Sequence, residues 1–346
     1  MNNKINVPVN QMPEIGLNLS SNIISHLIDY RRVVGKKVVF HERDGGELKP
    51  IFSISHSPLQ LQIEPFEPVK VDCNVVGIDS SCITVGETEE GCLYSVKSGV
   101  FVYSSSRPKN YYSFGPYVVY VDDDVIRRIY HGNAVREKVV RLVALDSDYA
   151  KKLIRLIFER EILKQFSSML KDSIILVDGS LKSTSLELDD ISLKKILEIS
   201  LENGNVVVGL SKSSRLKVVK KVANYIELLN YAPVKVDVHH ILEDVVERLE
   251  GHAFIVKFKR HGYAFRVDIP FDLIFEVDTI LGKILWNDSF RYGYPESLVM
   301  AHNLSVFDKV EEVSVKSAIT KSLNIIQVPA QNLRKMLLNS LNFEGG

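Results

Sequence analysis

The sequence predicts an α/β fold, a mixed β-sheet flanked by helices, with elaborations at both ends of the chain. Two patterns carry that reading. Residues 75–85, 92–104 and 117–122 are strand-like and closely spaced, as in an antiparallel meander. Beyond them, all-apolar runs at 174–178 ("IILVD") and 206–210 ("VVVGL") alternate with helical stretches at 149–170, 190–202 and 215–229. Apolar runs without polar alternation, each followed by a helix, are the mark of parallel strands covered on both faces.

The elements follow in order. Residues 1–13 are polar. Residues 17–34, "LNLSSNIISHLIDYRRVV", carry Ile23, Ile24, Leu27 and Tyr30 at helical spacing, with Ser20 or Ser21 as the N-cap. Residues 35–70 hold a turn, "RDGGE", and extended pieces punctuated by proline. Residues 1–70 therefore form an N-terminal elaboration suited to dimer or partner contacts, 71–310 the core, and 311–346 a C-terminal segment. Within the core, "AFIVKFKRHGYAFRVDI" from residue 253 is a hairpin turning at "RHGY". "YPESLVMAHNLSVF" starts a helix with Pro295 at or near its first position, where a missing N–H costs nothing.

Composition narrows the function classes. Lys+Arg and Asp+Glu balance at 43 each, so a nucleic-acid partner requires positive charge segregated into a groove. Cys73, Cys82 and Cys92 are odd in number and lack CxxC spacing, which argues against a disulfide framework or a zinc site. The N-terminal residues lack the apolar region of a signal peptide, and no apolar run is long enough to span a bilayer. A soluble cytoplasmic protein with no membrane partner is expected.

Two of the strands end on a carboxylate. "NVVGIDSSCIT" (74–84) and "IILVDGSL" (174–181) each run apolar residues into an aspartate followed by small residues. Side chains alternate along a strand, so Val75, Gly77 and Asp79 share one face, as do Ile174, Leu176 and Asp178. Parallel neighbours would set Asp79 beside Asp178 at the carboxyl edge of the sheet, where α/β folds bind ligands. Carboxylates that close repel unless a cation lies between them, and oxygen ligands suit Mg²⁺ or Mn²⁺. Either aspartate alone reads more readily as a turn residue than as a ligand; the matched pair reverses that and favours the metal. A third ligand should come from the long helix, which offers Glu159 and Glu161. Both have apolar neighbours at helical spacing, so periodicity does not choose between them.

Four motifs in order, "GIDSS", a glutamate in the helix before "ILVDGSL", "GLSKSSR" and "YPESLVMAH", resemble the NurA nucleases of archaea and some bacteria over residues 74–307. The resemblance implies a ribonuclease H-like core and Mn²⁺-dependent DNA cleavage, with Mg²⁺ as the alternative ion. It implies 5′-to-3′ exonuclease action on single and double strands, single-strand endonuclease action, and a homodimer. It also implies docking on a HerA-type hexameric helicase-translocase in DNA end resection and recombinational repair. Carried over residue by residue, Asp79, Glu161 and Asp178 match the acidic set, Glu161 by its spacing to "VDGSL"; Tyr294 and His302 match the C-terminal tyrosine and histidine. On these positions Asp79, Glu161, Asp178 and His302 are the expected metal ligands and Tyr294 a further catalytic residue. On periodicity alone, His302 would pack on its helix beside Leu298 and Val306. Lys212 and Arg215 of "SKSSR", and Lys257, Lys259 and Arg260 of the hairpin, are candidate DNA contacts; a solvated basic turn or a charged strand edge explains them otherwise.

Two other function classes stay open at this stage. "GIDSS" and "VDGS" also resemble the phosphate loops of actin-like or sugar-kinase-like ATPases, but "GLSKSSR" is not glycine-rich and no second similar core follows. A catalytically silent DNA clamp for a motor is the other, against which the retained acidic residues argue.

Overall fold

The computed structural model describes residues 37–39, 62–132, 136–184, 186–212, 216–323 and 326–328. The predicted helix at 17–34 and the chain end at 329–346 lie outside these residues.

An antiparallel meander opens the core: β3 (Val75–Glu87), β4 (Gly91–Ser104) and β5 (Arg107–Asp122). Two helices, α1 (Asp123–Ile129) and α2 (Arg136–Leu145), lead into the long α3 (Ser147–Met169). Then come β6 (Ile174–Asp178), α4 (Leu193–Glu202), β7 (Val206–Ser211) and α5 (Lys217–Glu227). β3, β6 and β7 run parallel, with Val75 opposite Ile174 and Ile174 opposite Val206. The order β5-β4-β3-β6-β7 is the ribonuclease H-like arrangement that the sequence predicts. β9 (Gly251–Lys257) and β10 (Phe265–Pro270) form the expected hairpin, and β10 extends the sheet beside β7. At the two ends of the strand order, β1 (Lys37–Val39) pairs with β13 (Ile326–Val328), and β2 (Ile63–Pro65) with β8 (Val234–Asp237), which the short α6 (His239–Leu242) follows. The N-terminal elaboration thus contributes strands to the main sheet.

Helices cover both faces, which is why the central strands lack polar alternation. On one face Val75, Leu176, Val208 and Leu210 pack against α7 (Val277–Asn287) and α8 (Glu296–Ser305) through Ile280, Leu281 and Leu298. On the other, Val76, Ile78, Ile175 and Val177 meet Ile162, Leu163 and Phe166 of α3 and Ile196 of α4. Each such buried side chain contributes about 1.5–3 kcal/mol.

The structure differs from expectation in the third strand, which starts at Arg107 rather than residue 117 and so takes in "YYSFGPY". The pairing shifts register between Val96 and Ser98, opposite Gly115 and Pro116, so the glycine and proline lie at an irregularity within the strand rather than between elements. The unpredicted α9 (Lys309–Leu323) follows α8; it buries only Val315 and Ile319, too sparse a pattern for periodicity to reveal. No described helix is long and apolar enough to cross a membrane.

Candidate metal centre

Register brings the two aspartates together. Ile78 is opposite Val177 in the parallel pair, so the next residues, Asp79 and Asp178, are neighbours on one face. β6 stops at Asp178 while β3 continues, so Asp79, 3 % exposed, is buried mid-strand and Asp178 sits at the open edge.

Two glycines admit the helix that completes the site. A Cβ on Gly77 would lie 2.4 Å from the backbone of Ser297, and one on Gly99 2.3 Å from the Ala301 carbonyl. Gly99 is directly opposite Asp79 on β4. With hydrogen in place of these side chains, α8 lies against the sheet and its last turn reaches Asp79. His302 Nδ1 is 2.7 Å from Asp79 Oδ2, and the Ser305 hydroxyl donates to the same oxygen at 3.1 Å. The other oxygen, Oδ1, accepts the Ser80 N–H at 2.8 Å. Among the described residues, Asp79, Asp178 and His302 are the group of acidic, histidine or cysteine side chains whose ligand atoms all lie within 4.8 Å of one another. Two carboxylates and an imidazole suit a divalent ion of the Mn²⁺ type, nitrogen being a poorer ligand for Mg²⁺.

The other covering helix supplies a carboxylate and a cation. Buried Asn205, just before β7, donates to the carbonyls of Ser167 and Leu170 at the end of α3 and accepts the Ser173 N–H at the start of β6. From that anchor α3 runs antiparallel to β6. Eleven helical residues back to Glu159 and five strand residues forward to Asp178 each span about 17 Å, so the two carboxylates end up level. Arg155, one turn away on the same helix face, lies 3.6 Å from Glu159 and 3.6 Å from Asp79. Burial pushes the Glu159 carboxyl above its usual range; Arg155 and Arg160 oppose the shift, and the negative charges of Asp79 and Asp178 add to it. A site that raises a carboxyl in this way gains from an added cation. For Arg155 burial works against the charge, yet Glu159, Asp79 and Asp178 outweigh it and its pKa rises.

At the open edge, the Lys212 ammonium donates to Asp178 Oδ2 at 2.9 Å and lies 5.3 Å from the centre of the Tyr294 ring. The Tyr294 hydroxyl donates to Asp178 Oδ1 at 3.3 Å. Burial, then Asp178, pushes the phenol above its ordinary pKa, so it remains a neutral donor. Behind them Arg266 binds Asp268 through two bonds of 2.7 and 2.8 Å. Asp268 accepts the Leu181 N–H at 3.0 Å and so pins the loop that follows Asp178.

The sequence profile of the NurA domain matches residues 73–307. The chain belongs to the NurA family. No curated protein matches by sequence. Among solved structures, the NurA nuclease of Sulfolobus solfataricus aligns with a TM-score of 0.48 at 16 % identity, over 75 % of this chain and 86 % of that one. The catalytic domain of human endonuclease V aligns at 0.36 and 13 % identity, over 76 % of this chain and 92 % of that one. A further NurA structure aligns at 0.36 and 9 % identity, over 80 % of this chain and 90 % of that one. The profile match, not these distant overlays, carries the family assignment.

In this NurA chain, Asp79, Asp178, Tyr294, His302 and Lys212 converge. Glu161 does not join them: two residues beyond Glu159, it is turned about 200° round the helix axis. The glutamate brought to the carboxylates is Glu159. Lys257 is likewise corrected as a candidate DNA contact. It is 0 % exposed, and its ammonium donates to the carbonyls of Glu227 and Leu229 at the end of α5, at 3.0 and 2.5 Å. That is a helix C-cap, out of reach of a phosphate. Lys259 and Arg260 are exposed at the hairpin tip. Arg215 lies outside the described residues. Arg155 was absent from the sequence-based set; its one signal was the i, i+4 spacing to Glu159. A separate cleft lined by Glu87, Glu89, Glu90, Asp122, Asp123 and Asp124 carries charge that repels nucleic acid.

Proposed function

We propose that this NurA-family chain is a divalent-metal-dependent deoxyribonuclease, with Asp79, Asp178 and His302 holding the ion and Glu159 as the neighbouring carboxylate. The approach of three ligand side chains to within 4.8 Å, from elements far apart in sequence, carries the reading. A bound Mn²⁺ or Mg²⁺ ion would polarise the scissile phosphate and make a water molecule a better nucleophile.

The chain's own residues do the rest. Asp79 aligns the His302 ring through Nδ1, and Ser305 and the Ser80 N–H hold that carboxylate in place. Tyr294, kept protonated, offers its O–H at the rim to a phosphate oxygen. Lys212 is half-exposed on Asp178 and can exchange that partner for a phosphate when DNA arrives. The finer activities belong to the same proposal: 5′-to-3′ degradation of single and double strands, a preference for Mn²⁺, a homodimer, and work beside a HerA-type motor. The family membership supports them.

The test is cleavage of end-labelled duplex and single-stranded DNA with Mn²⁺, Mg²⁺ or EDTA. Products with a divalent ion, absent in EDTA and in Asp79→Asn, are expected. Binding without any product in Mn²⁺ would leave the silent clamp, and ATP turnover without DNA the kinase-like alternative.

A further inference from the structure

Beside the carboxylates two tyrosines project into solvent from loops that brace each other. β11 (Phe290–Arg291) and β12 (Tyr294–Pro295) form a hairpin whose turn is Tyr292–Gly293, with φ of 52° and 85°. Positive φ at both positions is the turn that Asn-Gly favours, and a bulky aromatic there is disfavoured. Tyr292 gains no packing in return, being 74 % exposed. Its carbonyl accepts the N–H of Tyr263, itself 59 % exposed, from the loop between β9 and β10. Among the described residues neither ring has an aromatic partner, whereas the rings behind them are paired: Phe265 with Tyr294 at 5.0 Å and Phe258 with Phe290 at 5.1 Å.

The position is as informative as the exposure. Tyr292 stands in the turn two residues before Tyr294, whose hydroxyl touches Asp178. Lys259 and Arg260 are exposed on the Tyr263 loop and Arg291 on the hairpin. Arg291 pairs with Glu296 at 3.3 Å. Lys212 lies over the Tyr294 ring. Exposed flat rings among cations, next to a phosphodiester-cleaving centre, have the makings of a surface for unpaired bases, which stack on aromatic faces whatever their sequence.

We propose that Tyr263 and Tyr292 form a base-stacking platform that receives unpaired nucleotides of a DNA strand next to the Asp79–Asp178 centre. The proposal rests on the nuclease reading and names the part of the substrate the site grips: the bases of a single strand, in addition to its phosphates. The backbone bond between the two loops ties the two residues that carry the rings to each other.

The test measures binding, not turnover. Full-length protein in EDTA is titrated with a fluorescent single-stranded oligonucleotide and with an abasic strand of the same length. The variants are Tyr263→Ala, Tyr292→Asn, the pair, and Tyr292→Trp. Asn suits the turn, so loss of fold does not confound Tyr292→Asn. The wild type should prefer the base-bearing strand. The double variant should lose about tenfold or more in affinity for it, with little change for the abasic strand, and Tyr292→Trp should retain binding. Unchanged affinity in the double variant, with wild-type binding intact, overturns the platform and leaves the nuclease reading standing. Failure of the wild type to bind the base-bearing strand overturns the platform, whereas the nuclease reading falls only if no product forms with a divalent ion. A change of sedimentation coefficient in the double variant, with base preference kept, would show a second copy of the chain covering the tyrosines and overturn the platform as well.

Discussion

Arg266 grips Asp268 through two hydrogen bonds of 2.7 and 2.8 Å, and both residues are buried. Arg155 comes no closer than 3.6 Å to Asp79 and is 45 % exposed, and Lys212 on Asp178 is 43 % exposed. These cations and carboxylates meet round the same loop, since Asp268 holds Leu181 three residues after Asp178. The first pair has satisfied its hydrogen bonds and given up its water; it is a fixed strut. The others balance charge without locking geometry, leaving their carboxylates open to exchange one cation for another. Tight pairing marks the support, and loose pairing marks the place where an ion or a phosphate can enter.

That contrast predicts opposite outcomes for similar changes. Asp178→Asn should lower metal-dependent cleavage on the order of 10³-fold, because a neutral amide is a weak ligand. Its stability should move by less than about 1 kcal/mol, since the residue sits at the rim. Labelled-DNA turnover beside urea denaturation reads both. Asp268→Ala should do the reverse, costing about 3–5 kcal/mol of stability by leaving Arg266 buried without its counter-charge. Cleavage per folded molecule should fall far less than for Asp178→Asn. A stable Asp268→Ala protein would erase the distinction between strut and site.

A third change lies between the two regions. Gly77→Ala places a methyl group 2.4 Å from the backbone of Ser297, so α8 must lift. Overpacking of this kind costs about 1–3 kcal/mol. Because α8 also carries His302 and Ser305 to Asp79, cleavage should drop further than the stability loss explains. Parallel loss of activity and folded fraction, measured by circular dichroism across a urea series, would mean that helix position is not what limits the site.

Much of this was legible in the sequence, and what was not shares one cause. The bounds of β6 and the placing of Asp79 beside Asp178 follow from local rules: apolar runs, alternation and a parallel connection. Glu159 against Glu161 does not, because both have apolar neighbours along the helix. The rotation and height of α3 are set by Asn205, remote in sequence, which ties its last carbonyls to the start of two strands. Lys257 misled for a similar reason. Local charge, "KFKR", suggested a solvated hairpin, but the end of α5 folds over that position and takes its ammonium as a cap. Arg155 carries no such local mark, since an arginine on a helix is ordinarily a solvated one, and only the strand it faces makes it part of the site.

The smallest expected effect bears most directly on the loose pair. If Arg155 is a resident counter-charge for Asp79 and Glu159, it competes electrostatically with a divalent ion for the same carboxylates. Arg155→Met should then raise Mn²⁺ affinity by about fivefold, modest because the guanidinium is half in water and screened. Arg155→Lys should leave affinity near wild type, as it keeps the charge. Free Mn²⁺ measured by electron paramagnetic resonance without DNA isolates this step from catalysis. A fall in affinity for Arg155→Met would instead make the arginine a clamp that positions the carboxylates, and would move it from the exchangeable set to the company of Arg266.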